Sequence, residues 1–234
     1  MSFQELFNVR FEELFNMSFE VLLNMMLQET GRSLFMTLFA TLGSYLLGMP
    51  LGILLSVTGK DGITPFSPLN WVIGTFINIM RAVPFLILAV VVIPIPRFLI
   101  GTSLGYRAMT ITLTIASFGF VARLVENSIN DVDKGVIEAA KSMGASIIQI
   151  ILKVLIPEAK PSLVLGAAIS ATTILGFSAM AGILGGDGLG FVAITYGYYR
   201  GQRDIMWIPI ILLIILVMIG QFFGNLLARK IDKR

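Results

Sequence analysis

The sequence contains no cysteine and no histidine in its 234 residues. Their absence excludes disulfide bonds, thiol or imidazole catalysis, and the usual zinc and haem ligand sets. Charged residues are scarce as well, at 13% of the chain, whereas soluble domains carry about 25%. Hydrophobic residues make up 56%. The composition indicates an all-α membrane protein that crosses the bilayer several times, and the small net charge does not imply nucleic-acid binding.

Five apolar stretches predict five transmembrane helices, since about 20 residues suffice to cross the hydrocarbon. The second stretch is interrupted by Arg81, with Pro84 just after it. A charge inside a span is costly and marks a functional candidate, although Arg81 could instead snorkel or bond carbonyls loosened by the Pro84 kink. The spans are predicted at about residues 33–57, 69–93, 106–122, 161–186 and 205–228.

The segment ahead of the first span, residues 1–29, contains an eight-residue repeat in Phe3–Asn8, Phe11–Asn16 and Phe19–Asn24. Its apolar residues follow helical spacing with Glu and Asn between them. This pattern predicts an amphipathic helix that lies at the membrane interface. An idle, solvated extension is the alternative.

One polar segment, residues 133–161, separates the third span from the fourth. Asp133 can cap a first short helix, and Gly144 stands where a left-handed C-terminal cap is expected. Ala139 and Ala140 leave the flank of this helix without bulk, so another surface could approach its backbone closely. The segment therefore predicts a short helix that docks on a partner, and a juxtamembrane helix without a partner is the alternative.

A second short helix is predicted directly after the first. Ser146 and Gln149 form a capping-box pattern at its start. Pro157 is expected to end it, because proline lacks the backbone donor that a helix interior needs.

The distribution of lysine and arginine predicts the orientation of the chain. With five spans, the side that holds residues 133–161 and the C-terminus carries ten of these residues, and the other side carries six. The positive-inside rule therefore predicts a cytoplasmic C-terminus and an N-terminus outside.

The fourth predicted span is rich in glycine, alanine, serine and threonine, which suit contact with protein or a pathway rather than lipid. A glycine-rich stretch, Gly182–Gly190, follows it. This stretch lacks the spacing of a nucleotide-binding loop, and we predict a mobile hairpin there.

The spacing of Glu138-Ala139-Ala140, Gly144 and the segment Val154–Pro157 resembles the EAA loop of type I ABC importer permeases. Over residues 30–230 the chain also looks like the permease subunit of bacterial methionine importers. The segments that carry this second resemblance include Gly135–Ala140, Met143–Ala145, Pro157–Ala159, Gly176–Met180 and Tyr196–Tyr198.

The resemblance implies the type I ABC importer permease fold, with cytoplasmic coupling helices between the third and fourth of five spans. It implies a permease domain at residues 30–225, a coupling loop at 133–156, and a bacterial inner-membrane location. The implied function is ATP-driven import of methionine, both enantiomers and close derivatives included, by alternating access at a homodimer interface. The implied partners are a second copy of the chain, two ABC ATPase subunits and an external substrate-binding lipoprotein, besides membrane lipid.

Residue roles follow from the same resemblance. The chain is expected to bind no cofactor and to catalyse no reaction itself, with ATP and Mg used by the ATPase subunits. The residues expected to couple to the ATPase are Glu138, Ala139, Ala140, Lys141, Met143, Gly144 and Ala145. The residues expected along the substrate pathway are Ser178, Ala179, Met180 and Arg81. The residues expected to dock the binding protein are Gly185, Gly186, Asp187 and Gly188.

Three alternatives remain beside this hypothesis. A permease for another small amino acid would share the same architecture. An energy-independent channel would need no ATPase partner. An intramembrane enzyme is disfavoured, because the chain has no His or Cys and its acidic residues lie outside the predicted spans.

Overall fold

A computed structural model describes residues 17–231, and this range is helical without any strand. The helices are α1 (Phe19–Thr58), α2 (Ser67–Ala82), α3 (Phe85–Val92), α4 (Pro94–Ile100), α5 (Gly105–Asn130), α6 (Lys134–Ser142), α7 (Ile147–Ile150), α8 (Ile156–Glu158), α9 (Lys160–Ala181), α10 (Leu189–Val192) and α11 (Arg203–Ile231). Two π-helical segments, Ile151–Leu155 and Ala193–Tyr199, and a 3₁₀ turn, Gly182–Leu184, lie between them.

Four described helices are long and apolar enough to cross a membrane: α1, α5, α9 together with its 3₁₀ turn, and α11. The helix α2 and the segment α3–α4 form a fifth span if they are counted together, but they are bent by 109°. The predicted second span over 69–93 is therefore not straight, and its break falls beside Pro84, where a kink was expected. Proline lacks a backbone donor and favours an extended residue before it. Val83 accordingly adopts φ −77° and ψ 127°, and α2 ends there.

The helix α1 is 40 residues long, or about 60 Å at 1.5 Å per residue, so it exceeds the hydrocarbon thickness of about 30 Å. The residues on both sides of the predicted boundary between 29 and 30 belong to this one helix, Phe19–Thr58. Its N-terminal half buries a stripe with alternating steps of four and three, which is the spacing of helix packing on protein. The stripe consists of Leu22, Met26, Glu29, Ser33, Met36 and Ala40. The first two copies of the eight-residue repeat lie outside the described residues.

The chain divides into two compact units, each made of three stretches. The first unit contains residues 17–40, Ala89–Leu113 and Thr173–Ile219. In its core Leu22 and Met26 of α1 pack with Leu189 and Val192 of α10 and with Ile205 of α11. The start of α1 is therefore held by protein rather than lying as a separate interfacial helix.

The second unit contains Thr41–Leu88, Thr114–Thr172 and residues 220–231. Its core joins α1, α5 and the helices of the polar segment through Val57, Val121, Val125, Ile150 and Leu155.

Close packing between α1 and α5 in this unit depends on glycine. A Cβ atom on Gly52 would lie 2.7 Å from the Cβ atom of Val125 and closer still to the carbonyl oxygen of Ala122. A Cβ atom on Gly48 would lie 2.7 Å from the carbonyl oxygen of Phe118. The two helix backbones can approach this closely only because both positions lack a side chain.

A Gly52→Ala substitution tests this packing. We expect it to destabilise the protein by about 1–3 kcal/mol, because the added methyl group must displace backbone rather than a flexible side chain. Thermal unfolding in detergent measures the effect. Gly176→Ala is the matched control, since a Cβ atom there meets nothing within 4 Å. Equal stability of the two variants would contradict the account.

Candidate functional site

The first helix of the polar segment, α6, is capped at both ends as predicted. Asp133 Oδ1 accepts the backbone N–H of Gly135 at 2.7 Å. Gly144 has φ +77°, and the N–H groups of Gly144 and Ala145 reach the carbonyl oxygens of Lys141 and Ala140 at 2.9 and 3.1 Å. This pair of bonds is a Schellman motif. The short helix is therefore a locally determined, rigid element.

The second helix, α7, begins with the predicted capping box. Ser146 donates its N–H to Gln149 Oε1 at 2.8 Å, and Gln149 returns its N–H to Ser146 Oγ at 3.4 Å. The predicted end at Pro157 is wrong. The π-helical segment Ile151–Leu155 precedes the proline, which falls in the first turn of α8. There its missing N–H costs little, and the chain stays helical to Glu158.

An apolar surface formed by α6, its C-cap residue and the start of α7 is exposed. Met143 is 80% exposed, and Val136, Ala139, Ile147 and Ile148 beside it are also exposed. We call these five residues the exposed apolar face. An apolar surface of this kind on a polar segment indicates an interaction site.

Ala140 does not belong to the exposed apolar face. It is buried at 4% exposure and packs in the core of the second unit. We expected Ala139 and Ala140 to leave the flank of α6 open to another surface. This expectation holds for Ala139 and is wrong for Ala140.

The other accessible face of α6 lines a cavity of about 490 Å³ within the second unit. Lys134, Glu138 and Lys141 project from the same face at steps of four and three residues. The turn after α1 adds a further pair of opposite charges, and α5 adds a carboxylate. The charged lining residues are Lys60, Asp61, Glu126, Lys134, Glu138 and Lys141. Positive and negative groups balance, so the cavity has no strong preference for ions of one sign.

The predicted pathway residues do not all face open space. Ser178 is buried, and its hydroxyl donates to the carbonyl oxygen of Leu175 at 2.7 Å. Ala179 packs against Gly190. Met180 is 45% exposed. These three lie in the first unit, whereas Arg81 lies in the second, exposed in the last turn of α2. The hydroxyl of Ser178 therefore already has a backbone hydrogen-bond partner. Among Ser178, Ala179 and Met180, only Met180 is exposed.

The glycine-rich turn after α9 is fixed rather than mobile. Glu29 of α1 accepts the N–H of Gly188 at 2.6 Å, and the hydroxyl of Ser33 accepts the N–H of Leu189 at 2.9 Å. Asp187 accepts the N–H of Tyr106 at 2.9 Å and lies 3.4 Å from Arg32. The prediction of a mobile hairpin is wrong because residues of α1 and α5 bond the backbone N–H groups of the turn and the carboxylate of Asp187.

This geometry also limits which residues of the turn can meet a partner. Gly186 and Gly188 are buried, Asp187 is half-buried, and Gly185 is exposed. Direct docking of a partner on Gly186 or Gly188 does not agree with their burial. Glu29 is the residue that sequence reasoning missed, and its place in the stripe of buried positions is the signal that could have found it.

Comparison with known proteins defines the class to which these features belong. The family described as binding-protein-dependent transport system inner membrane component matches residues 48–234. The chain belongs to this family, and it is a multi-pass membrane permease with the type I ABC importer fold.

Individual relatives agree with this class. The chain is 44% identical to the "Probable D-methionine transport system permease protein MetI" of Vibrio cholerae, over 89% of this chain and 93% of that protein. It is 44% identical to the "Methionine import system permease protein MetP" of Bacillus subtilis, over 77% of this chain and 82% of that protein. A solved structure of the MetNI methionine ABC transporter in inward-facing conformations matches with a TM-score of 0.90 and 38% identity, over 93% of this chain and 100% of that one.

A Glu29→Ala substitution tests the role of α1 in holding the turn. Hydrogen bonds to charged groups contribute about 1.5–3 kcal/mol, so we expect the amide of Gly188 to exchange with deuterium at least about tenfold faster. Hydrogen–deuterium exchange with mass spectrometry measures this. Glu20→Ala removes an exposed carboxylate from the same helix and serves as the control. Unchanged exchange at Gly188 in the Glu29 variant would contradict the assigned role.

Proposed function

We propose that the chain is the permease subunit of an ATP-driven importer for methionine. The observation that carries the proposal is the match in fold and sequence, over almost the whole chain, to the permease chain of a methionine ABC transporter. The names of the relatives, one for D-methionine and one for methionine, support methionine as the substrate, with the D-enantiomer included.

The proposal assigns the source of energy to a partner. In the sequence, the glycine-rich stretches lack the spacing of a nucleotide-binding loop. Two ABC ATPase subunits would bind the ATP and Mg. The polar segment faces the cytoplasm in this arrangement, as the lysine and arginine distribution favours. Its capped helix α6 can then act as a rigid body that carries movement of the ATPase into the core of the second unit, where Ala140 is anchored.

The contact with the ATPase would use the exposed apolar face of α6 and α7. Ala139 and Met143 present small or flexible apolar side chains on this face, which suit insertion into a cleft. Glu138 and Lys141 face the neighbouring cavity instead. They would meet the ATPase at the rim of the contact, where charges set orientation more than affinity.

The pathway itself would form between two copies of the chain. A transporter commonly builds its pathway at the interface of two related halves, and the sequence shows no repeat between its own halves. A two-fold pair supplies the second half most simply. An external binding protein would deliver methionine to the side opposite the polar segment.

Uptake of labelled methionine into proteoliposomes tests the proposed function. The permease is reconstituted with its ATPase subunits and binding protein, with ATP inside the vesicles. We expect uptake of both enantiomers that requires internal ATP and is not displaced by an excess of other amino acids. Uptake without ATP would indicate a channel, and preferential uptake of another amino acid would assign a different substrate. Either result would contradict the proposal.

A Met143→Asp substitution tests the contact with the ATPase. Burial of a methionine side chain contributes about 1.5–3 kcal/mol, and an aspartate at the same position adds the cost of burying a charge. We expect at least about tenfold less ATPase to co-purify with the permease. Met143→Leu keeps the site apolar and should retain the ATPase. Equal recovery of the ATPase with both variants would place the contact elsewhere.

A further inference from the structure

Arg81 places a positive charge on an apolar helix. It lies in the last turn of α2, which forms one arm of the broken span. Its side chain is exposed, and within residues 17–231 no hydrogen bond or ion pair reaches its guanidinium group. An unpaired charge in a membrane-spanning segment is costly, and such residues face a water-filled cavity or a pathway.

Two other arginines on long apolar helices show the contrast. Arg123 of α5 donates to Glu126 at 2.5 Å and to Asn78 at 2.7 Å. Arg32 of α1 donates to Glu29 at 2.6 Å. Each of these two guanidinium groups is compensated within its own unit. Arg81 differs because the part of the chain that the structure describes supplies no anion for it.

The surroundings leave room for the Arg81 side chain. A Cβ atom on Gly119 of α5 would lie 3.2 Å from the Cβ atom of Met80 and 3.9 Å from the Cγ atom of Arg81. A side chain at position 119 would therefore press on Met80 and only touch the stem of the arginine. Asn78, one turn earlier on α2, is held by Arg123, so its amide oxygen is directed away from Arg81.

The break in the helix adds to this argument. Val83 is extended, and the last helical hydrogen bond runs from its N–H to the carbonyl oxygen of Ile79, so the ladder ends two residues after Arg81. Non-helical backbone at membrane depth is tolerated where it is buried in protein or lines a water-filled cavity. Transporters place their substrate sites at such discontinuous helices. An exposed, unpaired cation beside a break is therefore arranged to receive an anionic group.

We propose that Arg81 binds the carboxylate of the amino acid as it crosses the membrane. This inference rests on the proposed function, because it takes an amino acid as the transported molecule. Guanidinium binds carboxylate through two parallel N–H···O bonds, which fixes orientation as well as charge. A lipid phosphate offers similar chemistry, and the experiment below separates the two anions.

The chain has no cysteine of its own, so Arg81→Cys introduces a single thiol into the permease. The reconstituted complex is assayed for methionine uptake before and after treatment with an aminoethyl or a sulfonatoethyl methanethiosulfonate. The first reagent attaches a cation to the thiol and the second attaches an anion. Co-purification of the ATPase subunits verifies that the variant assembles. Parent complex treated with each reagent controls for thiols in the other subunits.

We expect Arg81→Cys to lower uptake at least about tenfold, because a hydrogen-bonded charge contributes about 1.5–3 kcal/mol. The cationic reagent should restore part of the uptake, and the anionic reagent should not. Saturating methionine during turnover should slow labelling of the thiol. Ile79→Cys is the matched control, since this residue is 59% exposed and lies two positions away, on the opposite side of the helix. Its uptake should not change with either reagent.

Three results would overturn the assignment. They are normal uptake by Arg81→Cys, equal rescue by both reagents, or labelling that methionine does not slow, as expected if a lipid phosphate occupied Arg81. The parent complex separates this inference from the proposed function. If the parent carries a different amino acid, the methionine proposal fails, and the same series with that amino acid decides the role of Arg81.

Discussion

The cost of an unpaired charge in an apolar helix accounts for the polar contacts of this chain. Arg123 is compensated by Glu126 and Asn78, and Glu29 binds both Arg32 and a backbone N–H of the glycine-rich turn. The hydroxyl of Ser178 returns to its own helix backbone. Arg81 lacks such compensation, since the described part of the chain provides it with no anion. The proposed ligand role of Arg81 rests on this charge, which the described residues leave unpaired in an apolar helix.

The polar segment contains the structural features on which the proposed contact with the ATPase depends. Caps at both ends of α6 are formed by neighbouring residues, so this helix keeps its shape without help from a partner. Ala140 anchors it to the core of the second unit, while Ala139 and Met143 remain exposed. A rigid helix with one buried and one open face can transmit a displacement. This is the property that an ATP-driven permease requires from its contact with the ATPase.

Local chemistry was predictable from the sequence, and packing was not. Asp133, Gly144 and the pair Ser146–Gln149 have the predicted caps, because each depends on residues a few positions apart. Two predictions failed for a longer-range reason, and a third failed for a local one. The turn around Gly188 is fixed by Glu29, which is distant in sequence. The first helix extends back to Phe19 because the first unit supplies a surface for its buried stripe. The helix around Pro157 continues because the proline falls in the first turn of α8, where its missing N–H costs little.

The most direct test of the account is a structure of the assembled transporter with methionine captured in the permease. The account predicts the guanidinium group of Arg81 within about 2.7–3.2 Å of the substrate carboxylate, at the break between α2 and α3. A carboxylate held by other groups, with Arg81 bound to a lipid phosphate or exposed to bulk water, would contradict it.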